Sequence, residues 1–270
     1  MRLRPLPQLA LSLASAIALI PTLFMLVTAL KAQEEYQVDK TGWPDAFVLD
    51  HFRQILFETP IFLWMANSLI LVAGSVGLSL VVACLAAYAI ARMQFRGRDA
   101  LLTISTALMA VPPVVLIVPL FVLYTRLGLI STYGGAILIY AALITPFSVY
   151  LLVTFFRSLP QELIDAAVMD GASHLQILTR VVLPLSLAPL LTLVIVNALF
   201  VWNDLLMAVI FLQDDAKKTV MAGIAVFQGR YNNQIPLTMA GMAVAAAPML
   251  ILYLTFQRHF VRGLMAGAVK

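Results

Sequence analysis

Charged side chains are scarce in this sequence. Only 11% of its 270 residues are Asp, Glu, Lys or Arg, against roughly a quarter in soluble domains, which excludes a water-soluble globular fold. Cysteine is nearly missing: Cys84 stands alone inside an apolar run. That excludes an internal disulfide or a cysteine metal cluster, and leaves Cys84 as small packing material. The three histidines, His51, His174 and His259, fall in an external loop, a cytoplasmic segment and a membrane edge. None faces a nucleophilic serine inside a span, and neither an HExxH motif nor a pair of intramembrane aspartates occurs. Intramembrane proteolysis is therefore excluded. With no Walker-type glycine loop, the chain itself hydrolyses no nucleotide. There is also no internal repeat and no low-complexity tract.

What fills the chain is apolar. Hydrophobic residues make up 62% of it, and the mean hydropathy of +0.98 marks an integral membrane protein. The net charge of +4 does not point to nucleic acid. The basic residues flank apolar spans and are not interleaved with aromatics. Six segments reach the roughly twenty residues a helix needs to cross the hydrocarbon core: Leu9–Leu30, Ser68–Ala91, Leu101–Tyr124, Tyr133–Phe156, Leu185–Leu212 and Leu237–Phe260. The first, behind Arg2 and Arg4, is too long for a signal-peptide core and is followed by no small-x-small cleavage site, so it reads as an anchor.

Basic residues set the topology. Arg92, Arg96, Arg98, Arg157, Arg180, Arg258 and Arg262 fall with both termini on one side. The other side has fewer bases, diluted by Glu34, Glu35, Asp39, Asp45, Asp50, Glu58, Asp214 and Asp215. Both termini and the segment 159–184 are therefore cytoplasmic, and the loop between the first two spans is external. Pro112, Pro113, Pro119, Pro146, Pro189 and Pro248 interrupt helices. Ala83, Ala87 and Ala91, four apart, let another helix approach closely.

The cytoplasmic segment Leu159–Pro184 reads LPQELIDAAVMDGASHLQILTRVVLP. It predicts two short helices: Ser158 as N-cap, Pro160 in the first turn, and Glu162 and Asp165 near the positive end of the helix dipole. Asp170-Gly171 breaks the first helix. Leu175, Leu178 and Val182 form one apolar stripe on the second, and Pro184 closes it. Such a pair is shaped to dock onto another protein.

Asp204 is the carboxylate inside a predicted span. A charge there costs about 2.5–3.5 kcal/mol on insertion scales. Two readings stand: Asn203 and Asp204 line a transport pathway and accept hydroxyl protons from a solute, or Asp204 lies near the outer interface or is bonded to neighbouring helix backbone to fix packing. Asn197 on the same segment is a pathway candidate or interhelical glue.

At the cytoplasmic segment the sequence resembles the EAA motif of bacterial ABC importer permeases, a pattern of Glu-Ala-Ala, three residues, Gly, nine residues, then Ile-x-Leu-Pro. Asp165-Ala166-Ala167, Gly171 and Val181-Val182-Leu183-Pro184 stand at both spacings, with Asp165 for glutamate and Val181 for isoleucine. Asn67-Ser68-Leu69, Ala87-Tyr88-Ala89-Ile90-Ala91-Arg92, Asp170-Gly171-Ala172 and Trp202-Asn203-Asp204 resemble the carbohydrate branch of that family. The Gly263–Lys270 tail resembles the smaller permease of maltose- and trehalose-type importers.

The resemblance implies an all-α integral membrane protein with the type I ABC importer fold, multi-pass in a bacterial inner membrane. Residues 1–63 would be an anchor helix and external loop, 64–260 the core transmembrane domain, and 261–270 a cytoplasmic tail. It implies a second permease subunit, two cytoplasmic ATPase subunits that bind ATP and Mg, and an extracytoplasmic solute-binding protein, with no cofactor in this chain. The ATPase-coupling residues would be Asp165, Ala166, Ala167, Asp170, Gly171, Leu175 and Leu178, and the tail would reach between the ATPase subunits. The alternative is a standalone, ion-driven transporter of a sugar or polyol, which needs acid–base relays where only Asp204 is on offer.

Overall fold

Among the described residues, long apolar runs give four unbroken helices able to span a membrane. They are α1 (Pro5–Ala29), α4 (Ile61–Arg92), α7 (Tyr133–Ser158) and α14 (Ile235–Ala268). The computed structural model describes the backbone of residues 5–227 and 234–268, and the side chains of residues 8–227 and 234–257. The expectations placed on Arg2, Arg4, Arg258, His259, Arg262, Val269, Lys270 and the tail side chains lie outside those residues.

The other two spans are bent pairs, which bring the number of spans to six if each pair is one crossing. α5 (Arg98–Leu108) meets a 3-10 turn at Pro113–Leu116 and then α6 (Ile117–Arg126), with a bend of 96°. Pro112 biases Val111 out of helical backbone, and neither Pro112 nor Pro113 can donate to the ladder. The expected continuous helix Leu185–Leu212 is corrected. The segment that begins at Leu159 runs on to Leu185 and turns by 79° into α11 (Leu187–Asn203), which ends at Asp204 before α12 (Leu206–Phe211). At 17 residues α11 falls short of a full crossing by itself. The prolines also divide. Pro119 and Pro189 stand in the first turns of α6 and α11, where a missing N–H costs nothing, so they interrupt no helix. Pro146 and Pro248 lie inside α7 and α14, each of which runs on past its proline.

The chain forms two compact units, Met1–Met65 with Val220–Ala247, and Ala66–Thr219 with Pro248–Lys270. In the first, α1 exposes apolar side chains such as Leu9, Ile17 and Leu23, as a lipid-facing helix does. The loop beyond it holds α2 (Gln33–Val38) and α3 (Asp50–Glu58) and closes around buried Lys31. Lys31 Nζ donates to the Asp39 carbonyl at 2.7 Å, and its own carbonyl accepts from His51 Nε2 at 3.0 Å. Asp39 Oδ1 takes the N–H groups of Gly42 and Thr41, and these bonds hold its carboxyl below the usual carboxylate range.

In the second unit, Ala83, Ala87 and Tyr88 of α4 pack against Val149, Leu152 and Phe156 of α7. The small-residue expectation holds for Ala83 and Ala87, both fully buried. A second cluster joins Phe211 of α12 to Tyr124 of α6, with ring centroids 5.6 Å apart. Asn67 of α4 pins the 216–218 loop: its Nδ2 donates to the carbonyls of Ala216 and Lys218, and its Oδ1 accepts from Tyr133.

Candidate functional site

The segment 159–184 is two helices about a glycine. α8 (Gln161–Met169) is preceded by Pro160 as its N-cap residue. The expected cap Ser158 is instead the last residue of α7, and its Oγ donates back to the Phe155 carbonyl. Glu162 stands in the first turn. Beyond the C-cap Asp170, Ala172 N–H bonds to the Ala167 carbonyl and Gly171 N–H to that of Val168, the paired bonds of a Schellman stop. Gly171 has φ +77° and open space around its Cβ position. Backbone conformation is therefore what asks for glycine there.

α9 (His174–Ile177) opens with a reciprocal Ser173–Gln176 capping box and passes into a π-helical turn, Leu178–Val182. Pro184 does not close the run. It sits in α10 (Leu183–Leu185), and the turn comes at Ser186, whose Oγ donates to the Val182 carbonyl. A π turn beside a proline is a usual way to absorb the lost backbone bond.

The segment is rooted in the protein's own core. Ile164, Ile177, Leu178 and Val182 are buried against α4 and α7. Leu178, expected to meet a partner, is 3% exposed and so is unavailable to one, whereas Leu175 is 61% exposed. Asp165 and Ala166 are exposed and Ala167 is half-buried. Leu163, Val168 and Met169 add further exposed apolar surface on α8.

The pathway candidates do not converge; each has its own partners. Asp204 Oδ1 accepts from Tyr140 Oη at 2.8 Å and from the N–H groups of Met207 at 3.0 Å and Ala208 at 3.2 Å. The carboxylate thus caps α12 across the break. Asn203 is exposed and donates to the Leu199 carbonyl of its own helix. Asn197 is 2% exposed, and its Nδ2 donates to Ser148 Oγ at 2.9 Å. The single Ser148 hydroxyl proton goes to the Ile144 carbonyl, which fixes the amide with nitrogen toward Ser148.

Asn197 also lines a cavity of about 680 Å³ beside the broken third span, with Met109, Tyr124, Phe147 and Phe200 among the wall residues. Sequence reasoning missed Tyr140 as the partner of Asp204, and the roles of Tyr88 and Arg92. Arg92 Nη2 donates to the carbonyls of Phe156 and Leu159, and its Nη1 to Gln161 Oε1. The four-residue spacing of Tyr88 and Arg92 beside a basic loop was the available signal.

Residues 79–265 match the family of binding-protein-dependent transport system inner membrane components. Among the relatives, the sulfoquinovosyl glycerol transport system permease protein of Agrobacterium fabrum is 33% identical over 99% of this chain and 94% of its own. The trehalose/maltose transport system permease protein of Thermococcus litoralis is 30% identical over 96% of this chain and 94% of its own. A crystal structure of a bacterial ABC transporter that imports the acidic polysaccharide alginate contains a chain of the same fold. Its TM-score is 0.78 at 22% identity, covering 94% of this chain and 95% of that one.

Proposed function

Because this chain belongs to the family of binding-protein-dependent transport system inner membrane components, we propose that its α8–α9 segment couples a cytoplasmic ATPase to the movement of a glycoside across the membrane. The chain is a multi-pass ABC importer permease with the type I fold, a transport subunit rather than an enzyme. It works with a solute-binding protein. The wider assembly adds a second permease and two ATPase subunits, which bind ATP and Mg, with both termini of this chain cytoplasmic. Residues 1–63, 64–260 and 261–270 serve as anchor and external loop, transport core and cytoplasmic tail.

The carrying observation is the two-sided packing of α8 and α9. Ile164, Ile177 and Leu178 are fixed in the permease core, while Leu163, Val168, Met169 and Leu175 are exposed around Gly171. A segment anchored on one face and apolar on the other passes a push from a docked partner into the spans. Asp165, Ala166, Ala167, Asp170 and Gly171 shape that docking face; Leu178 belongs to the anchored one.

The cargo reading rests on relatives that carry sulfoquinovosyl glycerol or trehalose and maltose. The cavity fits that class. Tyr124, Phe147 and Phe200 offer apolar surface to the C–H faces of a sugar ring, and Asn197 Oδ1 offers one acceptor to a hydroxyl. A single polar contact suits transit better than capture, because a carrier must also release its cargo. Calorimetry of the cognate binding protein against neutral and anionic glycosides tests the class. Binding of a glycoside, with uptake of the same compound, supports it; binding only of non-carbohydrate solutes refutes it.

A further inference from the structure

Ala87-Tyr88-Ala89-Ile90-Ala91-Arg92 closes α4 at its cytoplasmic end. Tyr88 and Arg92, four residues apart, share one helix face. Arg92 grips the first limb of the coupling pair. Its Nη2 donates to the Phe156 and Leu159 carbonyls at the end of α7, where the dipole is negative and Pro160 has no N–H to give, so that Phe156 O otherwise takes only the Leu159 N–H. Its Nη1 donates to Gln161 Oε1 at 2.7 Å, and Gln161 Nε2 donates onward to Asp165 Oδ1 at 2.9 Å. The amide thus links the guanidinium to the acidic residue at the head of the Asp165-Ala166-Ala167 motif.

Tyr88 meets the second limb. Its Oη lies 3.3 Å from His174 Nδ1, with the rings edge to face at 6.1 Å. Tyr88 is 4% exposed and packs in the same cluster as Ile164 and Ile177. One helix end therefore holds both limbs, on either side of the Gly171 bend.

We propose that Tyr88 and Arg92 are positioning residues that clasp the two limbs of the coupling pair to α4, so that a push on α8–α9 moves α4 together with α7. This rests on the reading of α8–α9 as the ATPase-coupling segment. Charge-assisted bonds from a planar guanidinium fork resist reorientation better than a single ammonium contact, so lysine is not equivalent at position 92. Neither side chain belongs to the exposed face left for the partner. The clasp therefore acts on transmission and not on docking.

The test uses the complete importer reconstituted in proteoliposomes, with Tyr88→Phe and Arg92→Lys made singly and together. Both substitutions keep volume, and the second keeps charge. The expected result is ATPase co-purification and basal ATP hydrolysis as in the unsubstituted complex, with solute moved per ATP reduced about 2- to 30-fold, more for Arg92→Lys than for Tyr88→Phe. Unchanged transport per ATP in the double variant overturns the clasp. Loss of ATPase co-purification in both single variants also overturns it, since the residues would then serve docking. A Leu175→Cys cross-link to the ATPase, with Tyr88 and Arg92 intact, checks the underlying reading separately. Its absence sinks the coupling segment itself, whatever the clasp variants do.

Discussion

The Tyr140 hydroxyl on α7 lies 2.8 Å from Asp204 Oδ1, the same oxygen that caps the first turn of α12. Tyr140 is 1% exposed, so the pair is built into the unit. The carboxylate holds a helix break in place by gathering three donors, which satisfies polar groups that hydrocarbon could not.

Asp204→Asn keeps an acceptor oxygen at that point, and Asp204→Ala keeps none. The account predicts that Asp204→Asn assembles and transports nearly as the unsubstituted protein does. Asp204→Ala loses stability by about 1–3 kcal/mol for each buried donor left unpaired, read as a lower melting temperature of the purified permease. Tyr140→Phe falls between them. If Asp204→Asn melts normally but abolishes uptake, the carboxylate acts on solute instead.

Gly171 is needed for its backbone conformation and not for space. A side chain in the left-handed region costs roughly 1–2 kcal/mol, least for Asn. Transport per ATP is therefore expected to fall in the order Gly, Asn, Ala, Val at position 171. Gly171→Asp adds a charge on the docking face and uncouples hydrolysis from uptake beyond the strain of Asn. Equal activity of the Val and Asn variants would falsify the conformational argument.

Leu175 and Leu178 are three residues apart with opposite fates. Leu175→Glu should leave the melting temperature of the permease unchanged and abolish ATPase co-purification. Leu178→Ala should destabilise by about 2–5 kcal/mol, as core truncations do. A stable Leu178→Ala protein that fails only to bind the ATPase would reverse these assignments.

The loop between α1 and α4 responds to acid through Asp39. Gly42 and Thr41 N–H groups lower the Asp39 carboxyl pKa in the folded loop. A depressed folded pKa contributes stability that is present above the unfolded carboxylate value, about 3.9, and is lost as pH falls through the folded pKa. Protection of the amides of residues 33–58, once corrected for the intrinsic pH dependence of exchange, should be constant across neutral pH and fall in acid, and Asp39→Asn should remove that acid step. An exchange profile in Asp39→Asn with the same acid step would assign it to another group.

Much of this architecture was legible in sequence because apolar length and proline act locally. Among the described residues, four of the six apolar runs are unbroken spans and two are bent pairs, six crossings if each pair is one, and Pro112-Pro113 marked the sharpest bend. The Gly171 hinge followed from glycine next to Asp170. The breaks at Ser186 and Asp204 did not. Pro189 lies in the apolar run from Leu185 to Leu212, but a proline does not by itself tell a kink inside a helix from the first turn of a new one, and Asp204 ends a helix only because Tyr140 and the α12 amides supply its donors. Leu175 and Leu178 looked alike because periodicity finds a helix face but not where the core beneath it ends. Ser158 looked like a cap because nothing local showed that α7 continues through it. Tyr88 and Arg92 were visible as a motif, but their partners Phe156, Leu159, Gln161 and His174 come from elsewhere in the chain.

On the proposed function, a glycoside crosses only when an ATPase drives this permease through α8–α9. The direct measurement is uptake of a labelled glycoside into proteoliposomes, with and without the ATPase, ATP and the binding protein. Uptake is expected only when all are present, and is expected to be lost in Leu175→Glu. Uptake by this chain alone, driven by an ion gradient, would contradict it.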